Sequence, residues 1–280
     1  MAIIMDGKLL AAEIRTDLKK RATAIIEKTG VKPVLATILV GDNPASVMYV
    51  KMKGNACARV GIDSLKVVLP ENTTTEELLA EIEKLNNDKN VSGILLQHPV
   101  PPQIDEQKCF NAIAFEKDTD GVNISSFGAM AMQLDGFKSA TPLAVMAILE
   151  RYNIPVAGKR AVVIGRSPIL GKPVSMLLLN ADATVTICHS KTQNLPDIVQ
   201  TADIVVAAVG RPLFVKADWI KEGAVLVDAG YNEGNVGDID LVNAAPKSYA
   251  YTPVPGGVGP VTIIKLIEQT IISAERMVEI

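Results

Sequence analysis

The feature that most constrains this chain is a repeated alternation of apolar runs and helical stretches. PVLATILVG (33–41), SLKVVLP (64–70) and VSGILLQHP (91–99) are such runs in the first half. KRAVVIG (159–165), TVTICH (184–189), IVVAAVG (204–210) and AVLVDAG (224–230) follow in the second. Strand, helix, strand order demands crossover connections, and crossovers make parallel sheets. Most of the runs are continuously apolar, as expected where helices cover both sheet faces. The intervening helices carry their own signals. Asp6 is placed to cap a helix through about Lys28, with Gly30 just past its end. ASVMYVKMKGNACARVG (45–61) reads as a second helix. Thr74 and Glu77 have capping-box spacing, with Leu78, Leu79, Ile82 and Leu85 behind them at helical period. Helices are expected from Thr141, near 170–180, over 195–201 and near 216–221, with a long terminal helix from about Pro260.

The segment 99–140 breaks this rhythm. It opens on Pro99, Pro101 and Pro102, carries a short helix near 104–113, and runs on through KDTDGVNISSFGAMAMQLDGFKSA. An irregular stretch of that length is functional or a connector. Two α/β lobes are therefore expected. Residues 1–140 form the first, completed by about 260–280, and residues 141–259 form a Rossmann-like parallel-sheet dinucleotide lobe. A chain of 280 residues accommodates two such lobes.

Composition narrows the partners. Aromatics are only 4% of a chain that is 48% hydrophobic, so the core is aliphatic. The formal net charge of −3 provides no basic footprint for nucleic acid. Cys57, Cys109 and Cys188 are an odd, scattered set, and His98 and His189 are the only histidines, so no zinc site and no disulfide framework is expected. No signal-like apolar segment opens the chain and no run of about 18 apolar residues occurs, so the expectation is a cytoplasmic protein without a membrane span.

AVVIGRSPILGKP places Gly165 at a strand end and Gly171 at a helix start, where backbone N–H groups can receive phosphate oxygens. The spacing is neither Gly-x-Gly-x-x-Gly nor a Walker A loop, so an ordinary strand-to-helix turn stands beside the nucleotide reading. About 20 residues on, an NAD site carries an acid for the ribose hydroxyl. Here Ser190, Lys191 and Thr192 stand instead, with Arg166 in the first turn. Cations and hydroxyls suit a 2′-phosphate, which favours NADP.

In the first lobe Tyr49 and Lys53 are i and i+4, on one helix face with Ser46 a turn earlier. A tyrosine can stack on a flat ligand, and a lysine of lowered pKa can move protons. Such pairs are also common on plain helix surfaces. Gln97 ends an apolar strand, where it either faces a ligand or satisfies loop backbone. Of Asp118 and Asp120, one is expected to make a turn and the other to accept hydrogen bonds from an amino-pyrimidine edge. Thr252-Pro-Val-Pro-Gly-Gly-Val-Gly-Pro-Val-Thr262 combines glycines, which admit close backbone approach, with prolines that stiffen the loop.

Taken in order, these segments are similar to the methylenetetrahydrofolate dehydrogenase/methenyltetrahydrofolate cyclohydrolase family over nearly the whole chain. The resemblance rests on Ser46-x-x-Tyr49-Val50-x-x-Lys53, Gly93-Ile94-Leu95-Leu96-Gln97 and Lys117-Asp118-x-Asp120-Gly121. It also rests on Gly165-Arg166-Ser167 with Gly171-Lys172-Pro173, on Cys188-His189-Ser190-Lys191-Thr192, and on Pro253 to Pro260. His98 and Val100 stand where the family often has leucines, Thr119 where it has valine, and Ser139-Ala140 where it has Pro-Cys.

The resemblance implies a homodimeric enzyme of one-carbon metabolism that serves purine biosynthesis. Its tetrahydrofolate substrate would be oxidised by NADP and then hydrolysed, both in a cleft between the lobes. It assigns proton transfer to Lys53, with Gln97 as hydrogen-bond partner and Tyr49 stacked on the folate. Asp120 would hold the pterin edge, and Pro255, Gly256 and Gly257 would complete the folate wall. Gly165, Arg166, Ser167, Gly171, Ser190 and Lys191 would bind the cofactor. The length leaves no room for the ligase fused to some members, so two activities are expected. A Rossmann oxidoreductase of the amino-acid dehydrogenase type is the alternative, and a non-catalytic nucleotide sensor a more distant one. Short-chain dehydrogenases, which also carry Tyr-x-x-x-Lys, place the glycine loop first, whereas here Tyr49 precedes Gly165.

Overall fold

A computed structural model describes residues 2–278. The chain forms two compact units. One unites Glu13–Lys138 with the chain from Ile263 onward; the other unites the residues up to Ala12 with Ser139–Thr262. In chain order the elements begin with β1 (Ile3–Ile4), α1 (Gly7–Thr29), β2 (Val34–Val40), α2 (Pro44–Val60), β3 (Asp63–Leu69), α3 (Thr75–Asn87) and β4 (Gly93–Leu96). Next come α4 (Glu106–Ala112), α5 (Ile124–Ala131), α6 (Ala140–Arg151), β5 (Arg160–Ile164), α7 (Gly171–Asn180) and β6 (Thr184–Cys188). The remainder is α8 (Leu195–Gln200), β7 (Ile204–Ala207), β8 (Val225–Asp228), α9 (Leu241–Ala244), β9 (Ala250–Tyr251) and α10 (Val258–Met277).

The first unit holds a parallel sheet in the order β3-β2-β4. Central β2 is buried from Leu35 to Val40 because both neighbours and the helices cover it. Pro44 starts α2, and the Asn43 side chain accepts from the N–H groups of Ala45 and Ser46. The capping box at the start of α3 forms as the sequence predicts: Thr74 N donates to Glu77 Oε2 at 2.8 Å and Glu77 N to Thr74 Oγ1 at 3.2 Å.

The irregular stretch contains more order than the sequence indicates. Besides α4 it holds a 3-10 turn at Phe115–Lys117 and the unpredicted α5, capped by Asn123. Lys117 is buried, and its ammonium donates to the carbonyls of Leu85 (3.0 Å), Asn86 (2.8 Å) and Asp88 (2.7 Å). It thus closes the carboxyl end of α3, where a cation is favoured. Lys117→Met would take the ammonium donor from the Asn86 carbonyl, while those of Leu85 and Asp88 keep the N–H groups of Asp88 and Val91, and is expected to cost about 1–3 kcal/mol in urea unfolding. An unchanged midpoint and slope would refute that role. The last helix is tied to the same segment. Gln269 Nε2 donates to the carbonyls of Thr119 (2.7 Å) and Lys138 (2.8 Å), and Ser273 Oγ to that of Glu116 (2.9 Å). Thr119, where a valine was the family expectation, pairs its hydroxyl with that of Thr270 at 3.4 Å.

The second unit is built on a parallel sheet ordered β1-β9-β8-β7-β5-β6. Its inner strands β7 and β8 are wholly buried. The residues up to Ala12 pack with this unit. Ile3 and Ile4 pair with Ala250 and Tyr251, a match between two-residue strands too short for periodicity to register. The backbone N–H of Asp6 also donates to the Tyr152 hydroxyl at 2.8 Å. Among the described residues no helix is long and apolar enough to cross a membrane.

Candidate active site

In the first unit α2 and the end of β4 bring predicted residues together. Lys53 Nζ donates to Gln97 Oε1 at 2.9 Å. Gln97 is buried, and its Nε2 donates to the His98 carbonyl at 2.8 Å. That second bond sets the amide so that its oxygen, not its nitrogen, faces the lysine. Half-buried Tyr49 lies one turn before half-buried Lys53 on α2.

Asp118 and Asp120 stand in different surroundings. Asp118 is fully buried and makes the turn: its carboxylate accepts from Val122 N at 3.1 Å and Asn123 N at 2.9 Å. Burial pushes it up to about 7. Asp120 stays half-buried and is pushed up to about 6 by burial, opposed by the charge of Lys53. Burial in turn lowers the pKa of Lys53, opposed by the carboxylate of Asp120. A lysine so placed releases its proton more readily than one in water, and the nearby carboxylate limits how far this goes. Burial and Lys53 push His98 down to about 4, so it is neutral near pH 7, its ring edge-on to Phe110 with centroids 6.3 Å apart.

The glycine turn lies in the second unit, at the carboxyl end of β5 between β6 and β7. Gly165 has φ +128°, and a Cβ there would collide with the carbonyl oxygen of Ala208, the residue after β7. Gly171 packs back on Gly165, so a side chain there would strike the Gly165 carbonyl. Ser167 Oγ accepts from the Gly171 N–H at 3.3 Å. These close approaches leave a tight turn without side chains at Gly165 and Gly171, which fits a phosphate-bearing dinucleotide. After β6, His189 N donates to Thr192 Oγ1 at 2.8 Å and Lys191 N to His189 Nδ1 at 3.2 Å. This small turn leaves Ser190 and Lys191 exposed at its tip, and Arg166 is exposed beside Gly165.

Gly256 and Gly257 are in this unit too. The Gly256 carbonyl accepts from Gly7 N at 2.9 Å and Lys8 N at 3.1 Å, and Gly257 packs on Gly7. The backbone of this turn thus seats the start of α1, and a side chain at Gly7 would collide with the Gly257 carbonyl, while Pro255 is exposed. The structure therefore gathers Tyr49, Lys53, Gln97 and Asp120 in one unit. It places Pro255, Gly256 and Gly257, with Gly165, Arg166, Ser167, Gly171, Ser190 and Lys191, in the other.

Sequence reasoning missed a buried pair of acids, one at the end of β8 and one in the loop beyond it. Asp228 and Asp238 are 1% and 0% exposed. The signal for it was faint: Gly230 and Gly237 carry no side chain because one would collide with Asp238 and Asp228 respectively.

A parallel sheet with its glycine turn in one unit, and a lysine, an amide and a carboxylate gathered in the other, make the architecture of a two-unit α/β dehydrogenase. The comparisons with known proteins agree. Residues 5–120 match the catalytic domain of the tetrahydrofolate dehydrogenase/cyclohydrolase model, and residues 139–278 match its NAD(P)-binding domain. The chain belongs to the tetrahydrofolate dehydrogenase/cyclohydrolase family. It is 61% identical to the bifunctional protein FolD of Cellvibrio japonicus, over 99% of both chains. The crystal structure of the FolD methylenetetrahydrofolate dehydrogenase/cyclohydrolase of Campylobacter jejuni matches with TM-score 0.96 at 44% identity, covering 99% of both chains. That of Trypanosoma brucei, complexed with NADP and an inhibitor, matches with TM-score 0.96 at 36% identity, covering 100% of this chain and 99% of that one.

Proposed function

We propose that this enzyme oxidises 5,10-methylenetetrahydrofolate with NADP and hydrolyses the methenyl product to 10-formyltetrahydrofolate, with Lys53 managing the protons. The observation that carries the assignment is the Lys53–Gln97 hydrogen bond of 2.9 Å beside Asp120.

Gly165, Arg166, Ser167, Gly171, Ser190 and Lys191 hold the cofactor, and when bound its nicotinamide accepts the hydride of the methylene carbon. This step needs facing planes rather than a base, because two nitrogens stabilise the resulting cation. Tyr49 stacks on the folate and Asp120 holds its pterin edge, with Pro255, Gly256 and Gly257 assigned to further folate contacts. In hydrolysis a water oxygen bonds to the methenyl carbon and the neutral amine of Lys53 takes its proton. The bond from that carbon to N5 then breaks as N5 takes the proton held by Lys53, the remaining hydroxyl proton passes to solvent, and the formyl group stays on N10. A lysine at its ordinary pKa would be an ammonium at pH 7 and unable to act as base. Burial lowers it toward use, and Gln97 fixes the direction of its amine.

The test follows absorbance of NADPH and of the methenyl intermediate from methylenetetrahydrofolate plus NADP. NADPH formed with transient methenyl product and final 10-formyltetrahydrofolate supports the reading; a keto-acid substrate with no folate requirement would overturn it. Arg166 and Ser190 read the 2′-phosphate. The double variant Arg166→Ala with Ser190→Ala is expected to raise the KM for NADP at least tenfold and that for NAD less than threefold. Equal losses would remove that role.

We further assign the enzyme to the cytoplasm and to supply of formyl groups for purine biosynthesis, without a nucleic-acid partner, since its net charge of −3 offers none a surface. A homodimer through the dinucleotide unit is supported by its edge strand β6, where Thr184, Thr186 and Ile187 are exposed.

A further inference from the structure

The buried acids Asp228 and Asp238 lie outside every role assigned so far. The Asp238 carboxylate collects four donors: Val209 N at 2.6 Å and Gly210 N at 2.9 Å on one oxygen, Arg211 N at 2.9 Å and Asn232 Nδ2 at 3.0 Å on the other. Three successive N–H groups at the carboxyl end of a strand form a concavity that ordinarily attracts an anion. Here the protein fills it with its own carboxylate. Asp228 anchors Asp238 in turn, accepting from Gly230 N (3.0 Å), Asp238 N (3.0 Å) and Ile239 N (2.8 Å). The loop so held begins at Ala208, whose carbonyl stands against Gly165. Beyond it Arg211 lies over the Phe214 ring at 4.5 Å, and Phe214 meets Trp219 edge-on at 5.5 Å.

We propose that Asp238 is a positioning residue for the cofactor site: by filling the concavity after β7 it holds the 208–211 loop against Gly165 and so fixes the shape of the glycine turn. The same arrangement has a specificity consequence. With that concavity closed by the Asp238 carboxylate, the N–H groups of Val209, Gly210 and Arg211 are not open to a dinucleotide phosphate. The proposal rests on the glycine turn being the cofactor site.

The test is Asp238→Asn. An amide presents one acceptor oxygen where four donors converge, so its NH2 group must face N–H groups it cannot satisfy. The KM for NADP is expected to rise at least tenfold, with dehydrogenase kcat at saturating NADP within twofold of wild type. Hydrolysis of methenyltetrahydrofolate transfers no electrons and needs no cofactor, so it should stay within twofold in the same preparation. Trp219, the sole tryptophan, gives a fluorescence unfolding transition that reports whether the cofactor unit is folded. Gly230→Ala is the second variant: its methyl would collide with the Asp238 carboxyl group without altering charge, and the same KM effect is expected. An NADP KM within twofold of wild type in either folded variant, or equal loss of both activities, overturns the proposal. Gly165→Ala separates the two possible failures. If it raises the NADP KM while Asp238→Asn does not, only this inference fails; if neither does, the cofactor site itself is misplaced.

Discussion

Replacing Lys53 with methionine is expected to lower cyclohydrolase turnover by about 10²–10⁴-fold, the usual contribution of a positioned general base. The KM for the folate should change less than threefold. Methionine keeps the length and apolar stem of lysine, so the helix face beside Tyr49 stays packed. What is lost is the nitrogen that donates to Gln97 and can exchange a proton with water. Oxidation of the methylene group needs no such exchange, so methenyltetrahydrofolate should accumulate in the variant during dehydrogenase assays. The pH profile supplies a second reading. The neutral amine is the active form, so wild-type hydrolysis should rise as pH increases through the Lys53 pKa, which burial brings below its usual value. The Lys53→Met profile should lack that limb. Full cyclohydrolase turnover in the variant, or a profile unchanged in shape, would take the proton-transfer role away from Lys53.

Gly165→Ala is expected to do the reverse. At φ +128° with the Ala208 carbonyl against its Cα, this position has neither the backbone freedom nor the space for a methyl group. The turn must open, and a displacement of about 1 Å at a reacting group can cost about 10²-fold in rate. Dehydrogenase kcat/KM for NADP should therefore fall at least about 100-fold, while hydrolysis of methenyltetrahydrofolate, which uses no cofactor, stays near the wild-type rate. Measuring both activities on each purified variant gives a reciprocal pattern. Parallel loss of both in Gly165→Ala would mean that the glycine serves general folding rather than the cofactor.

The longer elements were readable because their signals are local. Both parallel sheets follow from apolar runs separated by capped helices, and the Thr74–Glu77 box forms as written. The site was readable where spacing along one element decides proximity, as for Tyr49 and Lys53 on α2. Other features depend on pairings that periodicity does not carry. Strand β1 has only two residues and gains its place from β9, far along the chain. Helix α5 spans eight residues and carries Gly128, too short a run to stand out within a stretch dominated by turn residues. The role of Lys117 as a cap for α3 depends on carbonyls some thirty residues away. Of the two buried acids, Asp228 ends an apolar strand run and Asp238 looks in sequence like an ordinary loop residue. Only the convergence of backbone N–H groups on them reveals their work.

The division of the chain bears on its synthesis. The unit that carries Lys53 is assembled from Glu13–Lys138 and from the chain beyond Ile263. Gln269, Thr270 and Ser273, which grip the Thr119 segment, are therefore synthesised 150 residues or more after the residues they bond there. The residues up to Ala12 must likewise wait for β9 before their strand has a neighbour. A nascent chain arrested before α10 would hold the whole dinucleotide sheet yet leave the first unit's Thr119 segment without its clasp. The dinucleotide sheet can therefore form while the first unit still lacks its last helix.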